Sequence, residues 1–210
     1  MKLLLALVLV IFPSVTMAAP ITFNLRDPAI ESIDEVNSFS LNQGGLTATL
    51  QALPQTFNEP PARTLELNQT SSSFGVNVAG TTCGGLEDSA LIDGGCTPES
   101  VKITFNLPVR LDQIVLSLFT GGTTGDLASL AIGGFPTITL LPTPAASDIY
   151  NFSSSDTVLV GQSIVLAYVA GNGFSFDSFT VTVPEPSSLV LLGLGALALC
   201  VGSSRRRARR

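Results

Sequence analysis

Four carboxylates fall within one glycine-rich stretch: Glu87, Asp88, Asp93 and Glu99. Calcium takes roughly six to eight oxygen ligands, carboxylates and backbone carbonyls among them, so such a loop has suitable chemistry. The spacing departs from Asp-x-Asp-x-Asp-Gly-x5-Glu, and a solvated acidic loop accounts for the same residues. Asp88, Asp93 and Glu99 therefore stand as calcium candidates, with no other cofactor or metal expected. Cys83 and Cys96 lie in the same stretch, each beside Gly-Gly. In an oxidising compartment they are expected to form a disulfide, worth about 3 kcal/mol in the chain-entropy picture. They form no Cys-x-x-Cys motif of a redox or zinc site.

The chain has no His and no Trp. Without His there is no Ser-His-Asp or Cys-His catalysis and no His-ligated zinc. Paired carboxylates could hydrolyse glycosides, but nothing selects a pair, and Tyr150 and Tyr168 are the whole stock of tyrosine for a sugar platform. A noncatalytic protein is the expectation.

The elements that must carry these residues are strands. Ile21–Leu25, Leu46–Ala52 and Val101–Leu107 alternate apolar and polar residues, the period of a half-buried strand. Further strands are expected over 64–69, 74–78, 111–119, 127–132, 137–141, 149–152, 156–160, 162–169 and 174–183. Residues 27–38 could hold a short helix, 55–61 read as a loop, and 79–100 as an ordered loop pinned by its disulfide. Some ten short strands with Gly, Pro, Asn and Asp between them predict an antiparallel β-sandwich, jelly-roll-like, flanked by an N-terminal signal helix and a C-terminal transmembrane helix.

Both ends of the 210-residue chain have a different character. Met1-Lys2, the apolar run Leu3–Phe12 and the small residues up to Ala18 make a secretory signal peptide over 1–18, cut between Ala18 and Ala19. The exported domain is then 19–183. At the other end, Pro184-Glu185-Pro186 is stiff and extended, since proline fixes its own φ and restricts the residue before it. Residues 186–204 carry no charge; as a helix they would cover about 28 Å, close to the hydrocarbon core of a bilayer. The membrane helix is placed at about 187–204. Arg205, Arg206, Arg207, Arg209 and Arg210 then hold the end in the cytoplasm. Between these ends the domain has four basic residues against fifteen acidic ones, a net charge of −11. Such a surface repels phosphate backbones, which argues against nucleic acid.

Val-Pro-Glu-Pro-Ser-Ser, the Leu/Gly/Ala-rich span and the terminal arginines, in that order over about 183–210, resemble the PEP-CTERM sorting signal. The resemblance implies an exported protein of a Gram-negative bacterium, held in the inner membrane until an exosortase processes it at Pro184, Glu185 and Pro186. It also implies delivery to the cell surface or an extracellular polysaccharide matrix, with that polysaccharide as a further partner. A weaker likeness to the layout of exported PEP-CTERM proteins lies in Ser73-Phe74-Gly75-Val76, the acidic loop and the strand led by Glu99, with Phe74 in place of the usual Leu and Ser73 in place of the first Gly. Two other readings fit the same residues: a glycan- or calcium-binding surface module, and a single-pass anchored protein that is never processed.

Overall fold

The computed structural model describes residues 19–27, 36–54, 64–70, 72–78, 90–95, 97–121, 125–143, 147–152 and 157–184. The chain divides into a compact unit Pro20–Val183 and a second made of Met1–Ala19 and Pro184–Arg210. The strands all lie in the first: β1 (Ile21–Asn24), β2 (Ser38–Gln43), β3 (Leu46–Pro54), β4 (Leu65–Gln69), β5 (Phe74–Val78), β6 (Glu99–Phe105), β7 (Val109–Ser117), β8 (Leu127–Ile132), β9 (Ile138–Leu140), β10 (Ser147–Asn151), β11 (Thr157–Val158), β12 (Ser163–Ala170) and β13 (Ser175–Thr182). No helix occurs among the described residues, and none there is long and apolar enough to cross a membrane.

The strands form three antiparallel sheets. The first runs β1-β13-β7-β10, with β11 also on β7; the second runs β2-β3-β6-β12-β8-β9; the third is the pair β4-β5. Alternation builds them. In β3 every second residue, Leu46, Ala48, Leu50 and Ala52, is buried, and their neighbours are half-buried. β6 repeats the pattern at Val101, Ile103 and Phe105. Inward residues of all three sheets join one apolar core. Phe23 stacks on Phe179 across β1 and β13 with ring centres 4.9 Å apart, and Phe105 of the second sheet meets Phe179 edge-on at 6.2 Å. Such pairs add about 0.5–1.5 kcal/mol each beyond the area they bury. The chain crosses from one large sheet to the other between β6 and β7, through Asn106-Leu107-Pro108.

Several expected strands fall where alternation puts them, with ends moved by two residues at most. Val101–Leu107 is displaced: the strand starts at Glu99 and stops at Phe105. β2 was not expected at all. Its Phe39 and Leu41 pack against the core while Ser38, Ser40 and Asn42 face outward, a short alternation overshadowed by the acidic stretch before it. The candidate helix over 27–38 lies mostly outside the described residues; at its end Val36 bridges Leu67 rather than continuing a turn. The 79–100 segment is not all loop: Leu91 bridges Val76, Ile92 bridges Phe174, and Glu99 and Ser100 begin β6. Gly75 makes the first bridge possible, because a Cβ there would collide with the Leu91 backbone.

Candidate functional site

β13 is the last strand of the domain and leads directly to Pro184, and its neighbours fix how it ends. It lies between β1 and β7, with Phe23 opposite Phe179 and Ile21 opposite Val181 on one side. On the other side its pairing with β7 shifts twice, between Phe176 and Ser178 and between Thr180 and Val181. Each shift is a β-bulge, one residue more on one strand than on its partner. The extra residue is Asp177 on β13 in the first and Asp112 on β7 in the second, since Thr180 pairs with Gln113 and Val181 with Leu111.

The first bulge buries Ser175, Phe176 and Asp177 in succession. Asp177 Oδ1 accepts from the Ser117 and Ser175 hydroxyls, each at 2.8 Å, and Oδ2 accepts from Arg26 Nη1 at 3.0 Å. Ser175 Oγ in turn accepts from the Phe74 amide at 3.0 Å, which ties β5 to β13. A groove of about 420 Å³ opens here, lined by Thr22, Asn24, Arg26, Asp177 and Ser178. Its cation and its carboxylate are already committed to each other. In the second bulge Asp112 Oδ1 accepts from Arg110 Nε at 2.8 Å and Oδ2 accepts from the Thr182 hydroxyl. Val183 is half-buried and Pro184 is exposed.

Asp126, buried like Asp177, accepts from the Thr120 amide at 2.7 Å, the Thr120 hydroxyl at 3.0 Å and the Asn172 amide. It fills the place a Cβ would take on Gly171, whose φ of +104° suits glycine alone. Asp148 accepts from the Thr143 amide. Tyr168 donates to the Gly171 carbonyl at 2.9 Å and Tyr150 to the Leu141 carbonyl at 2.7 Å. Burial raises the pKa of both phenols, with Asp93 and Asp126 adding to it at Tyr168 and Asp148 at Tyr150, so both stay protonated donors at neutral pH. These carboxylates and phenols secure turns and bulges. Sequence reasoning passed over Asp177, Asp112, Asp126, Asp148 and Arg26. The available signal was an Asp inside an apolar strand, as in Phe176-Asp177-Ser178-Phe179 and Leu111-Asp112-Gln113.

Of the calcium candidates, Asp93 and Glu99 come together. Glu99 Oε2 accepts from the Asp93 amide at 3.0 Å, the Asp93 carbonyl accepts from the Glu99 amide at 3.1 Å, and Asp93 Oδ1 accepts from the Gly95 amide at 2.8 Å. They brace the turn into β6. Among the described residues no three acidic, His or Cys side chains group as metal ligands. Asp88 and Glu87 lie outside the described residues, as do Cys83, Cys96, Ala18, Glu185, Pro186, the signal peptide, the 187–204 span and the five terminal arginines. Ala19 is described and exposed.

Residues 182–207 match the model of the PEP-CTERM protein-sorting motif. The match begins at Thr182, still within β13, and takes in the Pro-Glu-Pro segment, the apolar run and the first three arginines, Arg205, Arg206 and Arg207. The motif implies recognition by an exosortase, and with it export and membrane-associated sorting in a Gram-negative bacterium. Proteins that carry it are in general noncatalytic cell-surface cargo. No curated protein and no solved structure matches the chain.

Proposed function

We propose that this chain is noncatalytic exported cargo, cut by an exosortase at Pro184-Glu185-Pro186 and released to the cell surface or the extracellular polysaccharide matrix. There the domain would serve as a structural or interaction component. The match of residues 182–207 to the sorting motif carries this reading. The domain agrees with it in two ways. Two large antiparallel sheets around one core support a β-sandwich of the jelly-roll kind, a stable body for display. And Asp126, Asp148, Asp177 and Asp112 are each engaged with amides, hydroxyls or arginine, as structural carboxylates are.

Mass spectrometry of the protein from its native host tests the proposal. A new C-terminus between Pro184 and Ser188 is expected. An intact Arg210 as the dominant form would overturn processing and leave a plain single-pass anchor.

A further inference from the structure

The sorting motif begins where a β-ladder stops, and the register gives the reason. Leu25 donates its amide to the Asp177 carbonyl, on the register that pairs β1 with β13. In an antiparallel ladder such exchanges recur at every second residue. From Asp177 on, past the first bulge, odd-numbered residues of β13 therefore turn their N–H and C=O toward β1, and even-numbered ones toward β7. A second bond agrees independently. Phe152 donates to the Asp112 carbonyl, so the even residues of that part of β7 face β10, and Gln113 and Val115 face β13. Their partners are Thr180 and Ser178, both even. Past the bulge the facing pair is Thr182 with Arg110.

Carried on by one step, the same register would set position 184 against position 108 as the next pair to exchange two hydrogen bonds. Both positions are proline, Pro184 and Pro108. Proline has no N–H, so both donors of that pair are missing and the ladder ends. The observed limits agree: β7 begins at Val109 and β13 ends at Thr182.

We infer that Pro108, 76 positions before the motif, is a positioning residue for exosortase processing. It denies Pro184 a place in the sheet and so leaves the motif that begins there accessible to the protease. Pro184 would then act twice, as part of the recognised motif and as the other half of the ladder stop. The inference rests on the sorting function proposed above. With a hydrogen-bonding residue at 108, the carbonyl of Pro184 gains a donor, β13 lengthens, and the segment that a protease must draw into its active site is partly held by its own domain.

The test is pulse-chase of the full-length chain in a host that has the exosortase, comparing unprocessed and processed forms. Pro108→Val should slow processing about three- to tenfold, the occlusion one added hydrogen bond can give. Inserting Gly-Ser-Gly-Ser between Val183 and Pro184 moves the motif off the register, and in that chain Pro108→Val should change nothing. Should the valine variant fail to accumulate, Pro108→Ala restores the same donor with a smaller side chain. Processing of the proline-108 variants at the parental rate overturns the inference, and so does an equal slowing with and without the insert. If the parental chain is itself never processed while the exosortase cuts other cargo, the sorting reading falls first and takes the inference with it.

Discussion

The two bulges between β7 and β13 use the same residue type to opposite ends. At the first, the extra residue belongs to β13, and Asp177 turns inward to gather the Ser175 hydroxyl of its own strand, the Ser117 hydroxyl of β7 and Arg26 just past β1. At the second, the extra residue belongs to β7, and Asp112 takes a neighbour two positions away and one hydroxyl across the ladder. The first lies beside the apolar core and binds β1, β5, β7 and β13 into one body. The second lies at the rim and finishes a strand. A bulge that adds an unpaired residue to the central strand must supply partners for it, whereas one beside the strand's end can be light, because little structure follows. The difference puts the boundary of the paired sheet at Thr182, the last residue of β13.

Phe179, between the two bulges, sets the upper end of the scale. It touches Phe23, Phe105 and Phe176, and Phe179→Ala should cost about 3–5 kcal/mol, read as a lowered urea midpoint. Asp177→Ala should cost about 2–3 kcal/mol, from the unsatisfied hydroxyls and lost packing between strands rather than from the partly exposed arginine pair. Thr182→Val should cost about 1 kcal/mol or less by thermal unfolding, because it removes one hydrogen bond and leaves Asp112 with Arg110. If the threonine change proved as costly as the aspartate change, the two bulges would be equally structural and the boundary would lie further along the chain. An aspartate change without effect would mean that Ser117, Ser175 and Arg26 find in water a partner as good as the Asp177 carboxylate.

Much of the architecture is legible in the residues. The alternation of Leu46, Ala48, Leu50 and Ala52, and of Val101, Ile103 and Phe105, marks strands with one buried face, because the side-chain period of a strand is two. The sorting motif is legible for another reason: stiffness, apolar length and charge follow one another within a few residues, so no folding is needed to bring them together. What the sequence hides is pairing at a distance. Nothing near Phe176 says that β13 lies between the first strand and the seventh. A bulge also breaks the period, so Ser175, Phe176 and Asp177 are all buried where alternation would send one of them outward. Glu99 shows the same limit. Its acidity suggests a ligand for calcium, yet its carboxylate accepts the Asp93 amide at the start of β6.

The pairing of β1 with β13 also sets an order of events. Ile21 finds its partner at Val181, and Phe23 at Phe179, so the first strand made waits for the last. Closing so long a stretch is entropically slow and contributes little until it is complete. Until then β7 lacks one of its neighbours, and Phe23 and the other inward residues of the first sheet have no cover. The first sheet is therefore the last part of the domain to be sealed, and it is sealed by the strand that leads into the sorting motif.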